Sequence, residues 1–323
     1  MDLPSVGVDV SKAFLDVGLL DGGRVRHHRV GNDALSHASI DAWLSARGAS
    51  PAHICLEATG AYGFDFARAM IAAGHKVSVV NPAQIKAFGK SELLRTKTDK
   101  VDAGLIARFC RAMNPPPWAP PAEAVLMLRG MVRRCAALKE MRTQEINRMK
   151  AGTTSSAAMA SIERSIAFLD GEIAGISQEI TQHLLNDAEL SRQNTLLLSI
   201  PSIGERAAAI LLGELPDLRD FASAKQLASF VGIAPGENSS GTQQTKSGHI
   251  TRIGNPTVRS AMVLCALSAR RYNPNVRSFA DRLAAKGKPP KVILVAIARK
   301  LLTQAHAVLK YGTPFRPDNE LQT

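Results

Sequence analysis

The chain has 323 residues, of which 45% are hydrophobic and 5% aromatic, and its formal net charge is +12 at pH 7. This hydrophobic content suffices for the cores of one or two domains and excludes a globally disordered chain. The few aromatic residues argue against base stacking as the main binding device, whereas the positive charge favours a polyanionic partner, most commonly nucleic acid.

The positive charge is concentrated in the C-terminal part. Residues 241–310 contain thirteen Lys or Arg and one acidic residue, Asp281, whereas residues 1–113 contain fourteen basic and eleven acidic residues. We therefore expect the C-terminal part to contact a phosphate backbone, although a solvated basic face is the simpler interpretation.

Cysteine usage and apolar runs indicate a reducing compartment and no membrane segment. The four cysteines lack metal or redox spacing and have apolar flanks, as core residues do: Cys55, Cys110, Cys135 and Cys265. No signal-peptide core is present, and the longest apolar runs, residues 261–267 and 292–298, are too short to span a bilayer. We expect a cytoplasmic protein without a membrane segment.

The first third of the chain alternates between strand and helix patterns. Strands are predicted at residues 5–10, 14–20, 24–30, 52–56 and 76–80, and helices at 34–46, 62–73, 83–90 and 98–113. The order predicts an α/β domain over residues 1–114, with a mixed sheet covered by helices. It suits a ribonuclease-H-like fold and also the related sugar-kinase and actin-type ATPase fold.

The rest of the chain predicts helices. A Pro-rich linker occupies residues 115–122 and cannot be helical. Residues 123–190 predict a long helical arm, interrupted at 152–156, which suits an antiparallel coiled coil used for dimerisation. Residues 191–323 predict a mostly α-helical domain with a loop at 230–248 and helices at 258–271 and 291–309.

Four acidic residues are candidates for a metal site. Asp9 lies within an apolar strand, Glu57 lies at a strand end, and Asp99 and Asp102 are three apart on one predicted helix. Converging carboxylates bind hard divalent cations, and two such ions form the usual clamp for phosphodiester cleavage. Each acid alone is more simply a helix cap or a solvated turn residue.

Other residues could bind or attack a phosphate. The turn at residues 200–204, with Ser202 and Gly204, could offer backbone N–H groups to a phosphate or be an ordinary turn between helices. The hydroxyl of Ser239 or Ser240 could be a nucleophile, although most Ser-Gly loops are only loops. Basic and polar residues that could contact a backbone are Arg252, Asn255, Arg259, Arg270, Arg271 and Lys291.

The combination of these motifs resembles a known family. Residues 6–12 (VGVDVSK), 57–60 (EATG), 81–82 (NP) and 97–103 (KTDKVDA) are similar to the N-terminal DEDD domain of the insertion sequence family 110 transposases. Residues 200–204 (IPSIG), 230–235 (FVGIAP), 240–241 (SG) and 253–259 (IGNPTVR) resemble that family's C-terminal domain. The family includes pilin-gene invertases and bridge-RNA-guided recombinases, and the resemblance covers nearly the whole chain.

The resemblance implies a Holliday-junction-resolvase-like first domain and a chemical mechanism. Asp9, Glu57, Asp99 and Asp102 match the family's metal-binding tetrad for Mg²⁺ or Mn²⁺. Ser240 matches its nucleophilic serine, with Ser239 directly before it as the other possibility. The serine would attack a DNA phosphate and become covalently linked to it, and strand exchange would regenerate it.

The resemblance also implies partners. These are double-stranded donor and target DNA, a structured guide RNA encoded by the element, and a homodimer that assembles into a tetramer, an assembly in which serine and tetrad could come from different subunits. The family's Ser-Lys before Gly254 is Thr-Arg here, which keeps the positive charge. The expected location is the bacterial cytoplasm, in association with the nucleoid.

Three alternative functions remain. A metal-dependent Holliday-junction-type nuclease would cleave with water and need no serine. A non-catalytic nucleic-acid-binding protein would use the acids only structurally. A sugar-kinase-like ATPase is disfavoured because no Gly-rich nucleotide loop follows and the basic C-terminal region would have no use there.

Overall fold

The computed structural model describes residues 3–58, 61–92, 99–153, 155–234, 239–240, 243–244, 250 and 254–316. At residues 61, 99–101, 239–240 and 243–244 the description covers the backbone alone. The chain forms two compact units, Met1–Pro120 and Pro121–Thr323.

The first unit contains a mixed five-stranded sheet, as predicted. Its strands are β1 (Ser5–Val10), β2 (Phe14–Asp21), β3 (Arg24–Gly31), β4 (His53–Glu57) and β5 (Lys76–Val80). Their order across the sheet is β3-β2-β1-β4-β5. β1, β4 and β5 are parallel, and β2 is antiparallel to both β1 and β3. This is the arrangement that the ribonuclease-H-like prediction requires.

Helices cover both faces of the sheet. They are α1 (Ala34–Ser45), α2 (Phe64–Ala72), α3 (Pro82–Ser91) and α4 (Asp99–Met113). On one face, Val6 and Val8 of β1 pack in a core with Ile40 of α1 and Phe66 of α2. On the other face, a second core joins side chains of β4 and β5 to α3 and α4: Cys55, Val80, Ile85, Ile106 and Phe109. Two-sided burial explains the nearly continuous apolar strands.

The proline-rich segment adds to the first unit. The Ser78 hydroxyl donates to the carbonyl oxygens of Pro115 and Pro116, at 3.1 and 2.8 Å, and the Trp118 amide donates to the Val77 carbonyl at 2.7 Å. The indole of Trp118 stacks on Phe64, with ring centroids 5.6 Å apart. The segment therefore runs alongside β5 before the chain enters the second unit.

The second unit begins with a helical hairpin formed by α5 (Glu123–Ala151) and α6 (Ser156–Asn186). The two helices are antiparallel, because His183 bonds to the Ala124 carbonyl at 2.7 Å while Arg142 pairs with Asp170 nearer the tip. Gly152, with φ of 79°, ends α5. The interruption predicted at 152–156 is confirmed.

The remaining elements complete a helical unit. They are α7 (Ala188–Leu198), α8 (Glu205–Glu214), α9 (Ala224–Val231), the strands β6 (Ser239–Ser240) and β7 (Gln243–Gln244), then α10 (Pro256–Tyr272), α11 (Pro274–Ala285) and α12 (Pro290–Tyr311). The apolar side chains of these helices and those at the base of the hairpin form one continuous core. All four cysteines are free and buried, which confirms them as core residues.

Two sequence-based expectations need correction in this unit. The loop predicted at 230–248 is not entirely loop, because Phe230 and Val231 close α9 and the backbones of β6 and β7 pair. Helix α11 was not predicted, because Pro274 reads as a breaker. Proline is accepted in a first turn, however, and the Asn273 side chain caps the amides of Asn275 and Val276.

Helix α12 is longer than the apolar run at residues 292–298 in the sequence. With 22 residues and a mean hydropathy of 1.6 over its best window, it is long and apolar enough to cross a membrane, the one such helix in the described part of the chain. Half of that window is buried inside the unit. Ile297, Leu301 and Ala305 lie in the core, so its hydropathy is accounted for by packing.

Candidate active site and nucleic-acid interface

Asp9 and Glu57 lie at neighbouring positions on one edge of the sheet, the edge formed by the carboxyl ends of β1 and β4. Val8 of β1 is in register with Leu56 of the parallel strand β4, so the next residues, Asp9 and Glu57, adjoin at the carboxyl ends of the strands. Both are half-buried. Ligand and catalytic groups of open α/β sheets commonly lie at this edge.

Helix α4 directs its N-terminal end to the same edge. Near its C-terminal end, the Cys110 thiol donates to the His53 carbonyl at 3.3 Å, at the beginning of β4. Closer to its N-terminal end, Ala103 lies against Gly7 in the middle of β1. The helix therefore runs antiparallel to β1 and β4, and half-buried Asp102 lies towards the strand ends that carry Asp9 and Glu57.

Two glycines allow this close approach. A Cβ atom on Gly7 would lie 2.2 Å from the Ala103 carbonyl oxygen and 2.2 Å from the Ala107 amide nitrogen. On β2, Gly18 is in register with Gly7, and a Cβ there would lie 3.2 Å from the same carbonyl. The helix backbone thus rests directly on the two strands, which determines how far Asp102 is from the sheet.

Asp16 is a further carboxylate at this edge, in addition to the four acids of the predicted tetrad. It is in register with Asp9 on β2, is 7% exposed, and lies 3.8 Å from the Arg29 guanidinium. Directly opposed residues of an antiparallel pair share a face, so Asp9 and Asp16 both point towards the α4 side. In the sequence, an acidic residue within an otherwise apolar strand was the feature that could have identified Asp16 as a candidate.

Three members of the predicted acidic tetrad therefore come to one edge of the sheet. Asp99 is the first residue of α4, and its side chain lies outside the described residues. Carboxylate oxygens suit Mg²⁺ or Mn²⁺. Among the residues that the structure describes, no group of three or more His, Cys, Asp or Glu side chains is placed closely enough to hold an ion.

The turn at residues 200–204 lies between α7 and α8, as predicted. Ser202 has φ of 78°, and Gly204 precedes α8 without any side chain capping the first amides of the helix. Ser202, Gly204 and Arg206 line a cleft of about 760 Å³ that the hairpin, α8 and α10 enclose. This geometry leaves the α8 N-terminus open for an acceptor such as a phosphate oxygen.

The predicted nucleophile lies on β6. The backbone of Ser240 is in register with Gln243 of β7, and that of Ser239 with Gln244. The side chains of both serines lie outside the described residues.

The predicted nucleic-acid contacts fall into two groups. Asn255 and Arg259 have partners inside the unit: Asn255 caps α10 through the amides of Thr257 and Val258, and Arg259 donates to the Val231 carbonyl at 3.2 Å. By contrast, Arg271 and Lys291 are exposed, Arg270 is half-buried, and Arg252 lies outside the described residues.

A buried ionic network was not foreseen from the sequence. Glu214, the last residue of α8, is 8% exposed and accepts two bonds from Arg133 of α5, at 2.7 and 3.0 Å, and one from Asn255, at 2.9 Å. Burial opposes ionisation of Glu214, but the bonds from Arg133 and Asn255 outweigh it and hold its pKa below the ordinary value. In the sequence, Glu214 resembles any solvated glutamate at the end of a helix.

Comparison with known proteins identifies the family. Residues 6–153 match the model of the DEDD transposases of IS110 elements, described as "Transposase", and residues 194–281 match "Transposase IS116/IS110/IS902 family". The chain is 34% identical to the pilin gene-inverting protein of Moraxella lacunata, over 96% of this chain and 97% of that protein. The chain belongs to the IS110 family of transposases.

Other relatives agree with this assignment. The pilin gene-inverting protein of Moraxella bovis is 33% identical over 96% of this chain and 97% of its own length, and a probable family 20 transposase of Pseudomonas aeruginosa is 25% identical over 98% of this chain. Among solved structures, Thermus thermophilus RuvC in complex with a Holliday junction substrate is 15% identical over 36% of this chain, with a TM-score of 0.28, too low to support a functional argument. As an IS110-family transposase, the protein is an enzyme of DNA strand transfer.

Proposed function

We propose that this IS110-family transposase cleaves and rejoins DNA through a covalent serine–DNA intermediate. The observation that carries the proposal is the convergence of Asp9, Glu57 and the N-terminal end of α4 at one edge of the sheet. An acidic edge of this kind suits phosphodiester chemistry assisted by a divalent cation. Ser240, on a short strand in the basic second unit, supplies the nucleophile.

In the proposed reaction, the Ser240 hydroxyl oxygen attacks the phosphorus of a DNA phosphodiester and loses its proton. The bond from phosphorus to one deoxyribose oxygen breaks, and that oxygen leaves as a hydroxyl after taking up a proton. The phosphoserine ester keeps the energy of the broken bond, so a hydroxyl of another strand can attack it and regenerate the serine without ATP.

The acidic residues have the role of binding the cation. Asp9, Glu57, Asp99 and Asp102 would hold Mg²⁺ or Mn²⁺, which would supply charge stabilisation at the phosphate oxygens. The carboxylate oxygens at the sheet edge are donors of the kind that such an ion prefers.

The partners in this proposal are donor and target DNA and a guide RNA that pairs with both. The exposed Arg271 and Lys291, together with Arg252, Arg270 and Arg259, supply positive charge for the backbone, and the open α8 N-terminus with Ser202 and Gly204 supplies N–H groups. Asn255 would contribute mainly through the structure of the α10 N-terminus. The expected location is the cytoplasm, in association with the nucleoid.

The proposed assembly is a dimer that pairs into a tetramer through the helical hairpin. Met141 on α5 and Phe168 on α6 are 47% and 65% exposed about midway along the hairpin. Exposed apolar side chains of this size on neighbouring helices suit a helix-to-helix contact with a second copy.

The test is the formation of a protein–DNA adduct that resists denaturation. Purified protein is mixed with the element-flanking RNA, a labelled donor–target DNA pair and magnesium. We expect an adduct with the wild-type chain and with Ser239→Ala, and none with Ser240→Ala. Asp9→Asn is expected to abolish the adduct while DNA binding is kept.

Two results would contradict the proposal. Magnesium-dependent cleavage that persists in Ser240→Ala without any adduct would indicate a nuclease that cleaves with water. An adduct lost in Ser239→Ala but kept in Ser240→Ala would move the nucleophile by one residue.

A further inference from the structure

The chain segment that carries Ser240 is closed at its base by backbone contacts. This segment, called the serine segment below, comprises residues 232–253, between Val231 at the end of α9 and Gly254 just before α10. Gly254 has φ of 144°, and a Cβ atom on it would lie 2.3 Å from the Phe230 carbonyl oxygen. Arg259 of α10 donates to the Val231 carbonyl at 3.2 Å. The two ends of the serine segment therefore touch, at the end of α9 and the start of α10.

Asn255 orients the start of α10 through both ends of its amide. The side-chain oxygen accepts from the Thr257 and Val258 amides at 2.9 and 3.2 Å, as an N-cap does. The side-chain nitrogen donates to Glu214 at 2.9 Å. The oxygen of the Asn255 amide is thus bound to α10 and its nitrogen to α8. The bond to Glu214 therefore determines the orientation of the first turn of α10 relative to α8.

Glu214 is in turn held by α5. Arg133 contacts both carboxylate oxygens, and the neighbouring Arg129 donates to the Gly213 carbonyl at 2.6 Å. Two arginines at the C-terminal end of α8 also complement the negative end of the helix dipole. The chain of contacts runs from the hairpin helix α5 through Glu214 and Asn255 to the base of the serine segment.

We propose that Glu214 is a positioning residue for strand transfer, which fixes the serine segment against α5 through Arg133 and Asn255. The inference rests on the proposed function of Ser240. Glu214 does not touch DNA in this scheme. It acts by keeping the base of the serine segment in one orientation, so that the hydroxyl can reach the phosphorus in line with the leaving oxygen.

The test compares Glu214→Gln with Glu189→Gln. Glu189 of α7 also accepts bonds from an arginine, Arg192, in the same unit. Its other partners are Gln193 of α7 and Arg219, both outside the serine segment and α10, so it serves as the control. At a temperature where circular dichroism shows both variants folded, we expect Glu214→Gln to form adduct about 10- to 100-fold more slowly than wild type, since small misplacements of reacting groups cost this much. DNA affinity is expected to stay unchanged, and Glu189→Gln is expected to keep the wild-type rate.

A second readout, limited digestion with trypsin, tests how firmly the serine segment is held and does not depend on the reaction with DNA. The serine segment contains two trypsin recognition sites, after Lys246 and Arg252, and cleavage after Lys286, in the exposed turn that follows α11, serves as the internal reference. We expect the ratio of segment to reference cleavage to rise about fivefold or more in Glu214→Gln, on the scale of a local opening. Glu189→Gln is expected to leave the ratio unchanged.

A second pair of variants separates capping from the bond to Glu214. Asn255→Asp keeps an N-cap acceptor but places a second carboxylate beside Glu214, whereas Asn273→Asp makes the same change at the N-cap of α11. We expect the slower adduct formation and faster trypsin cleavage only in Asn255→Asp.

The outcomes are distinguishable. An unchanged cleavage ratio in Glu214→Gln overturns the positioning role, whatever the adduct shows. Faster cleavage of the segment with an unchanged adduct rate also overturns it, because the segment would then be free without loss of reaction. The absence of any adduct in wild type overturns the serine mechanism itself, and the trypsin ratio still decides whether Glu214 holds the segment.

Discussion

At the scale of single residues, Gly7 determines how closely an acidic helix approaches an acidic strand. Its missing side chain lets the backbone of α4 contact β1, and the acids of both elements then share one edge of the sheet. A glycine in the interior of a strand usually weakens it, and close backbone approach is a common reason for its presence.

We predict that Gly7→Ala disrupts the acidic edge. The new methyl group would meet backbone atoms at 2.2 Å, so α4 must move away from the sheet, at a cost of about 3 kcal/mol or more in the free energy of unfolding. Adduct formation should fall with it. Chemical denaturation and the adduct assay measure the two effects.

The matched control is Gly130→Ala in α5, where a Cβ atom meets nothing within 4 Å. There the change should be neutral or stabilise the helix by up to about 1 kcal/mol. Equal stabilities of the two variants would contradict the close packing of α4 on β1.

Glu214 gives a pH dependence with a definite sign. Its pKa in the folded chain is below the ordinary value of 4.5, so its ion pair stabilises the fold fully above that value and loses its effect as the pH falls towards the folded pKa. We predict that Glu214→Gln lowers the free energy of unfolding by about 2 kcal/mol at pH 7, less than the roughly 3 to 5 kcal/mol usual for a fully buried pair, because the Arg133 side chain is 64% exposed.

The difference between wild type and Glu214→Gln should shrink below pH 4.5. Denaturation curves at pH 7 and at two lower pH values measure it, with Glu189→Gln as the surface comparison. A difference that stays constant with pH would show that the charge of Glu214 is irrelevant to stability.

At the scale of elements, the helical hairpin has different surroundings at its base and along its middle. At the base, Leu128 and Val132 of α5 join the core of the second unit, whereas Met141 and Phe168, about midway along the two helices, are exposed. Large exposed apolar side chains leave this part of the hairpin available for contact with a second copy.

We predict that Met141→Glu together with Phe168→Glu prevents self-association without lowering the melting temperature, because the two side chains are exposed within one copy. Light scattering coupled to size-exclusion chromatography measures the mass. Met127→Glu is the control, since Met127 is 56% exposed on α5 but lies near the base. An unchanged oligomer in the double variant would show that the middle of the hairpin is not part of the interface.

At the scale of the whole molecule, the net charge of +12 is supplied largely by the C-terminal helices. Lys286, Lys288 and Lys291 are all exposed around the turn between α11 and α12. Lysines of this kind contact phosphates without regard to sequence, and each contact releases counterions from DNA.

We predict that changing all three lysines to Gln weakens DNA binding and lowers the salt slope of log affinity by about 2 to 3, since each phosphate contact contributes about 0.9. The loss should be equal for different DNA sequences. Affinities measured at several salt concentrations test this. The control changes three exposed arginines of the first unit, Arg24, Arg68 and Arg111, to Gln. If the slope fell equally in the control, the charge effect would be general.

Local patterns were sufficient for most of the elements and for the family. Alternation and turn residues predicted all five strands of the sheet and the helices between them, because short-range periodicity reports burial on one or two faces. The interruption of the hairpin and the ends of α10 and α12 were also predicted to within a few residues. The family followed from short motifs in the right order along the chain, which the comparisons confirm.

Tertiary structure alone decided which residues meet. Asp16 became visible beside Asp9 only through strand register, and the role of Gly7 only through the approach of α4, because both depend on residues far apart in the chain. Asn255 and Arg259, which the sequence proposes as DNA contacts, also have partners inside the unit that the sequence does not reveal. Glu214 gained its ion pair from a helix that precedes it by about eighty residues. Periodicity records whether a side chain is buried, whereas the identity of its partner depends on how the helices pack.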